Sequence, residues 1–154
     1  MCIRDRFSKV GAIARANGTQ IIADEVMTGL GRASDRTFAS HSEKIQPDYL
    51  CIAKGLTGGY LPMAATLTTQ DVFDAFLGEY QEFKTFFHGH SFTGNPLGAA
   101  AGLASLELLE SKSGAKQRKN LAARLKKYSE QLWTHDFPER FRDLVGVFLN
   151  MTGV

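Results

Sequence analysis

The sequence has 154 residues, with 18 Lys and Arg against 16 Asp and Glu, a formal net charge of +2, 44% hydrophobic residues and 22% charged ones. This is the balance of a globular chain large enough for one core, and it argues against repeat arrays, disordered tails and a nucleic-acid partner recruited by charge. No run approaches the roughly 20 apolar residues that span a bilayer, the start lacks the apolar stretch of a signal peptide, and Cys2 and Cys51, without CxxC spacing, point to a reducing cytoplasm rather than a disulfide framework or zinc.

Met1 to Arg6 carries a mixed charge pattern that does not extend the helical stripe starting at Phe7, and it is expected to be foreign to the domain. From Phe7 onward, Phe7, Val10, Ile13 and Ala14 recur at helical spacing, and Asn17-Gly18 supplies a stop. Residues 19–23 then predict a buried strand that runs into Asp24-Glu25, and residues 27–32, with two glycines and no periodicity, predict a loop. Residues 49–53 predict a second buried strand, ending at Lys54 and followed at once by Gly55, Gly58 and Gly59.

Residues 62–67 predict a third strand, and Thr68 with Asp71 predicts a capping box for a helix through Val72, Phe73 and Phe76. Residues 85–88 predict a fourth short strand, and residues 89–94 a loop. Asn95-Pro96 opens a helix, a cap residue followed by proline in the first turn. That helix is rich in small residues, from Ala99 to Gly102, and should pack closely against a neighbour. Residues 112–133 predict an amphipathic helix with Leu121, Leu125, Tyr128 and Leu132 on one stripe and many basic residues elsewhere, a solvated face with no nucleic-acid motif. Strands alternating with helices predict an α/β fold with a mostly parallel sheet and flanking helices.

In open α/β sheets ligands bind outside the carboxyl ends of the strands, and Asp24 and Lys54 both sit at such ends. A lysine flanked by glycines suits a Schiff base with a bulky carbonyl ligand, and a nearby carboxylate suits a pyridinium nitrogen. That pair is what pyridoxal phosphate chemistry requires. Glu25 is the competing acid; Asp24 is preferred because it directly follows the apolar run. His88 and His90 lack a third ligand at a suitable spacing, so no metal is expected.

Three ordered strings carry a wider resemblance: Ile-Ile-Ala-Asp-Glu-Val-Met-Thr-Gly-Leu-Gly-Arg at 21–32, Pro-Asp-Tyr-Leu-Cys-Ile-Ala-Lys-Gly-Leu-Thr-Gly-Gly at 47–59, and Phe-Phe-His-Gly-His-Ser-Phe-Thr-Gly-Asn-Pro-Leu-Gly at 86–98. Together they resemble the class III pyridoxal-phosphate-dependent aminotransferases, and the third string is most similar to the biotin-pathway members. The resemblance implies a fragment of the large domain of a fold-type I transferase over residues 7–111, with residues 112–154 leading into a truncated small domain.

It also implies pyridoxal 5'-phosphate as cofactor, with Lys54 as the Schiff-base lysine and proton carrier and Asp24 as the pyridinium partner. Ser91 would contact the phosphate of the opposite subunit's site, His90 would supply neighbouring backbone, and Gly89 would lie where the keto acid approaches. The implied reaction moves an amino group to 8-amino-7-oxononanoate, giving 7,8-diaminononanoate, with a donor such as S-adenosylmethionine. The alternative is another omega-aminotransferase acting on 4-aminobutyrate, ornithine or β-alanine. A homodimer is implied for the full-length protein. The sequence departs from the family pattern at Ala33-Ser34, where a threonine-glycine pair is usual. The family's ring-stacking segment and glycine-rich phosphate loop would precede Phe7 and its substrate-carboxylate arginine would follow Val154, so the 154-residue chain alone is expected to bind cofactor weakly and to be inactive.

Overall fold

The computed structural model describes residues 4–33 and 36–133. Along the chain run helix α1 (Arg4–Ala16), strand β1 (Ile22–Asp24), the one-turn helix α2 (Ala39–Ser42), strands β2 (Tyr49–Ile52) and β3 (Ala65–Thr68), helix α3 (Gln70–Ala75), a 3₁₀ turn at Tyr80–Glu82, and the long helices α4 (Pro96–Glu110) and α5 (Lys112–Trp133). Three strands form one sheet in the order β1-β2-β3. β1 and β2 are parallel, with Asp24 opposite Cys51, whereas β2 and β3 are antiparallel, with Cys51 opposite Thr66.

The α/β architecture agrees with the predicted alternation, but the third strand runs against the expected parallel direction. The chain between Ile52 and Ala65 has no crossover helix to carry it back to the same edge, and a parallel return needs one. The predicted strand at residues 85–88 is irregular, exposed chain that pairs with no strand among the described residues. The predicted capping box at Thr68 is also absent: Thr69 occupies the cap position of α3, and its side chain makes no capping hydrogen bond.

The core lies on one face of the sheet. Leu50 and Ile52 of β2 pack with Leu30 and Leu56, and Ala23, Met63, Ala65, Leu106 and Leu109 close around them. Because side chains alternate along a strand, Ile22, Asp24, Cys51 and Thr66 share the opposite face. That face is open among the described residues, with Ile22 and Asp24 exposed. Helix α4 covers the core face through its small residues. Gly98 comes so close to Met63 that an added Cβ would lie 3.3 Å from the sulfur, and at Gly102 it would lie 3.6 Å from the Leu56 carbonyl oxygen. The predicted close packing of this helix is therefore present, and its start is as expected: Asn95 Oδ1 accepts from the Leu97 N–H at 3.0 Å, with proline in the first turn. Extended backbone at Ser111 ends α4, and the Ser111 hydroxyl accepts from the Gly114 N–H at 2.9 Å to start α5.

Two apolar stripes behave differently from their sequence patterns. On α1, Phe7, Val10 and Ile13 are exposed, and the helix approaches the sheet through Gly11, whose position faces Ile45 and Ile21. This helix begins at Arg4, three residues before the predicted start. On α5, Leu121, Leu125 and Tyr128 are exposed to the described residues' surroundings. No described helix is long and apolar enough to cross a membrane. The expected small-domain segment beyond Trp133, residues 1–3 and Ser34 lie outside the described residues.

Asp48 fastens the amino ends of β1 and β2 to the carboxyl end of β3. Its carboxylate accepts from Arg15 Nη1 at 2.8 Å and from the Ile21 N–H at 2.6 Å, while its carbonyl accepts from the Thr69 N–H at 3.1 Å. The hydrogen bond from Arg15, helped by that from Ile21, holds the Asp48 carboxyl below its ordinary value of 3.8. A lowered native value means that this group stabilises the fold above pH 3.8 and that the contribution fades as pH falls through the native value. Asp48→Asn is therefore expected to lower the thermal midpoint of the full-length protein at pH 7, with the gap from wild type narrowing below pH 3.8. Thermal melts from about pH 3 to about pH 8 check this; a gap of constant size contradicts it.

Candidate active site

Parallel pairing of β1 and β2 brings their carboxyl ends to one edge of the sheet. Asp24 is the last residue of β1, beside Cys51, and Lys54 follows Cys51 by three residues on the neighbouring strand's exit. The structure thus places the two predicted residues on the same edge, both exposed.

The choice between the two acids follows from where their carboxylates point. Glu25 is buried at 4% exposure, and its carboxylate accepts from the Ala39 N–H at 2.7 Å and the Ser40 N–H at 2.8 Å. It is committed to holding the start of α2 against the end of β1. The Asp24 carboxylate has one hydrogen bond among the described residues, from the Val26 N–H to Oδ1 at 3.1 Å, which leaves Oδ2 open to a ligand. Glu25→Ala is accordingly expected to act on stability, at a cost of about 3 kcal/mol for two backbone donors stripped of a charged acceptor. Urea unfolding of the full-length protein measures it; a loss under about 1 kcal/mol would show that the carboxylate is dispensable.

Lys54 opens a run of tight turns. The Leu56 N–H donates to the Ala53 carbonyl at 2.6 Å, the Gly58 N–H to the Gly55 carbonyl at 3.2 Å, and the Tyr60 N–H to the Thr57 carbonyl at 3.2 Å. Three glycines in this run are favoured by position. An added Cβ at Gly55 would lie 3.1 Å from the Leu30 Cβ, and Gly58 and Gly59 have φ of +62° and +86°. No ion pair or hydrogen bond engages the Lys54 amine among the described residues, so its four-carbon arm is free to reach a ligand.

Gly89, His90 and Ser91 lie in an exposed loop ahead of α4. The His90 N–H donates to Thr93 Oγ1 at 2.9 Å, and His90 Nδ1 accepts from the Phe92 N–H at 3.1 Å, so this imidazole is used to shape the loop. Its Nδ1 is thereby an acceptor, with the ring proton on Nε2 when the ring is neutral. The strand register brings Asp24 and the exit towards Lys54 to one end of the sheet, and no described hydrogen bond joins the 89–91 loop to either residue. Among the described residues no three His, Cys, Asp or Glu side chains gather as a metal site.

The donor set suits pyridoxal phosphate. Among the described residues a primary amine without a partner and a carboxylate oxygen without a donor stand at one end of the sheet, beside a glycine-rich turn. Sequence reasoning missed two hydroxyls near this edge. Thr57, 3% exposed, donates through Oγ1 to the Leu61 carbonyl at 2.5 Å, and Ser105 Oγ of α4 donates to the Gly55 carbonyl at 3.2 Å. Their only sequence signals are a threonine within the glycine run and a serine in a small-residue helix.

Comparison with known proteins points the same way. The family described as Aminotransferase class-III matches residues 3–152. The adenosylmethionine-8-amino-7-oxononanoate aminotransferase of Geobacter sulfurreducens is 63% identical over 91 residues, which cover 59% of this chain and 20% of that protein. The enzyme of the same name from Anoxybacillus flavithermus is 55% identical over 101 residues, 66% of this chain and 22% of that one. The crystal structure of the Methanocaldococcus jannaschii protein of that name superposes with a TM-score of 0.70 at 41% identity, covering 82% of this chain and 29% of that chain. The chain therefore spans about a fifth to a quarter of the length of the curated relatives it matches.

Proposed function

The chain belongs to the class III aminotransferases, and on that premise we propose that the protein is a pyridoxal-phosphate-dependent transaminase that converts 8-amino-7-oxononanoate to 7,8-diaminononanoate in biotin synthesis. The observation that carries the substrate assignment is the 63% identity over 91 residues to a relative bearing that substrate in its name. S-adenosylmethionine is the proposed amino donor, on the same ground.

Pyridoxal phosphate, when bound, supplies a ring that accepts the electron pair left behind when a proton leaves the substrate carbon. Lys54 would hold the cofactor's aldehyde through its amine, and the same amine, when not so engaged, would take up and return the proton of the substrate α-carbon. Asp24, whose Oδ2 accepts no hydrogen bond among the described residues, would hold the proton of the ring nitrogen and so maintain the ring's pull on electrons. Gly89 leaves room for the keto acid. Ser91 offers its hydroxyl, and His90 the backbone beside it, to the phosphate of the opposite subunit's site in a cytoplasmic homodimer. The exposure of that loop supports the reading.

The test is turnover by the full-length protein. With pyridoxal phosphate and S-adenosylmethionine it is expected to form 7,8-diaminononanoate from 8-amino-7-oxononanoate, and to use 4-aminobutyrate, ornithine and β-alanine poorly as donors. Preference for one of those three, with no diamine product, would overturn the substrate assignment in favour of another omega-aminotransferase.

A further inference from the structure

We propose that Ser105 is a positioning residue for Lys54, locking the turn that carries the lysine onto helix α4 through the Gly55 carbonyl. The inference rests on the proposed role of Lys54. A lysine side chain has four rotatable bonds and, here, no partner of its own among the described residues, so the place from which its amine works is set by the backbone at residues 53–56. The Gly55–Leu56 peptide, one residue beyond Lys54, is anchored from two sides. The Gly55 carbonyl takes two donors, the Gly58 N–H at 3.2 Å, which closes the turn, and Ser105 Oγ at 3.2 Å, which comes from fifty residues further along the chain. With both lone pairs engaged the carbonyl cannot rotate without breaking one bond or the other.

The helix is well placed to act as the anchor. Gly98, Gly102 and Ser105 fall at intervals of four and three residues and so share one face of α4. The two glycines let that face close on Met63 and Leu56, and Ser105 adds the polar tie to Lys54's turn. Thr57 fixes the other end of the turn from inside, donating to the Leu61 carbonyl at 2.5 Å and accepting from the Leu61 N–H at 3.4 Å. A buried threonine and a helix serine thus clamp the same turn from two directions. Both hydroxyls are spent on backbone rather than on a ligand.

Four variants of the full-length protein test this: Ser105→Ala, Ser105→Thr, Thr57→Val and Lys54→Ala. In cofactor-free protein, amide hydrogen exchange over residues 53–61 is expected to quicken about tenfold in Ser105→Ala, the effect of losing one neutral hydrogen bond, with β2 unchanged. Thr57→Val keeps the side-chain volume and should move exchange in the same direction. In cofactor-loaded protein, Ser105→Ala should lower kcat about tenfold with KM within about twofold, and shift the pH midpoint of the lysine-bound cofactor's absorbance. Ser105→Thr, which keeps the hydroxyl, should restore all three readouts. Wild-type exchange and an unshifted midpoint in both Ser105→Ala and Thr57→Val would overturn the proposal, as would a Ser105→Thr variant no better than Ser105→Ala. The exchange measurement needs no cofactor and so tests the lock alone; a Lys54→Ala protein that kept the absorbance would instead overturn the role of Lys54.

Discussion

Replacing Lys54 with alanine in the full-length protein is expected to remove the long-wavelength absorbance of lysine-bound cofactor and to lower turnover by more than about 10³-fold, because a covalent anchor and a proton carrier, the latter alone worth about 10²–10⁴, are lost together. Neither acid at this site can substitute for it. Asp24 beside it on the sheet edge is no amine, and Glu25 is engaged with the backbone of Ala39 and Ser40. Spectroscopy and a coupled assay read the two effects separately. Turnover within about tenfold of wild type would place the chemistry on another amine.

The second large effect is expected at Asp24. Asp24→Asn keeps the shape and the acceptor that binds the Val26 N–H, but it removes the charge that holds a proton on the ring nitrogen. Loss of a preorganised electrostatic partner of this kind costs about 10²–10³ in kcat. Cofactor attachment depends on Lys54, so the absorbance should persist while the rate falls. Glu25 supplies the contrast: its loss should appear as lowered stability with the rate of the folded fraction kept. If Asp24→Asn were fully active and Glu25→Gln inactive, the roles of the two acids would have to be exchanged.

These expectations were legible in the sequence to different depths. Both site strands could be read because each apolar run ends on a turn residue or a charged one, and local pattern alone decides that. The pairing of Asp24 with Lys54 could be read as well, since two strands leaving the same edge place their exits together. The direction of β3 could not, because an apolar run looks the same whichever way it is threaded, and the absence of a crossover helix shows only once the 53–64 segment is seen as turns. The exposed stripe of α1 misled for a related reason: Phe7, Val10 and Ile13 have helical spacing, but Gly11 permits the closer approach and takes the contact with Ile21 and Ile45. The commitment of Glu25 to Ala39 and Ser40, and of Ser105 to Gly55, involves residues 14 to 50 positions apart, and no periodicity encodes such contacts. Resemblance supplied roles for Gly89, His90 and Ser91 that spacing alone does not give.

The most direct test of the site is chemical. Borohydride reduction of the cofactor-loaded full-length protein, followed by peptide mapping by mass spectrometry, is predicted to leave the reduced cofactor attached to Lys54. Attachment to a different lysine, or no attachment at all, would contradict the account.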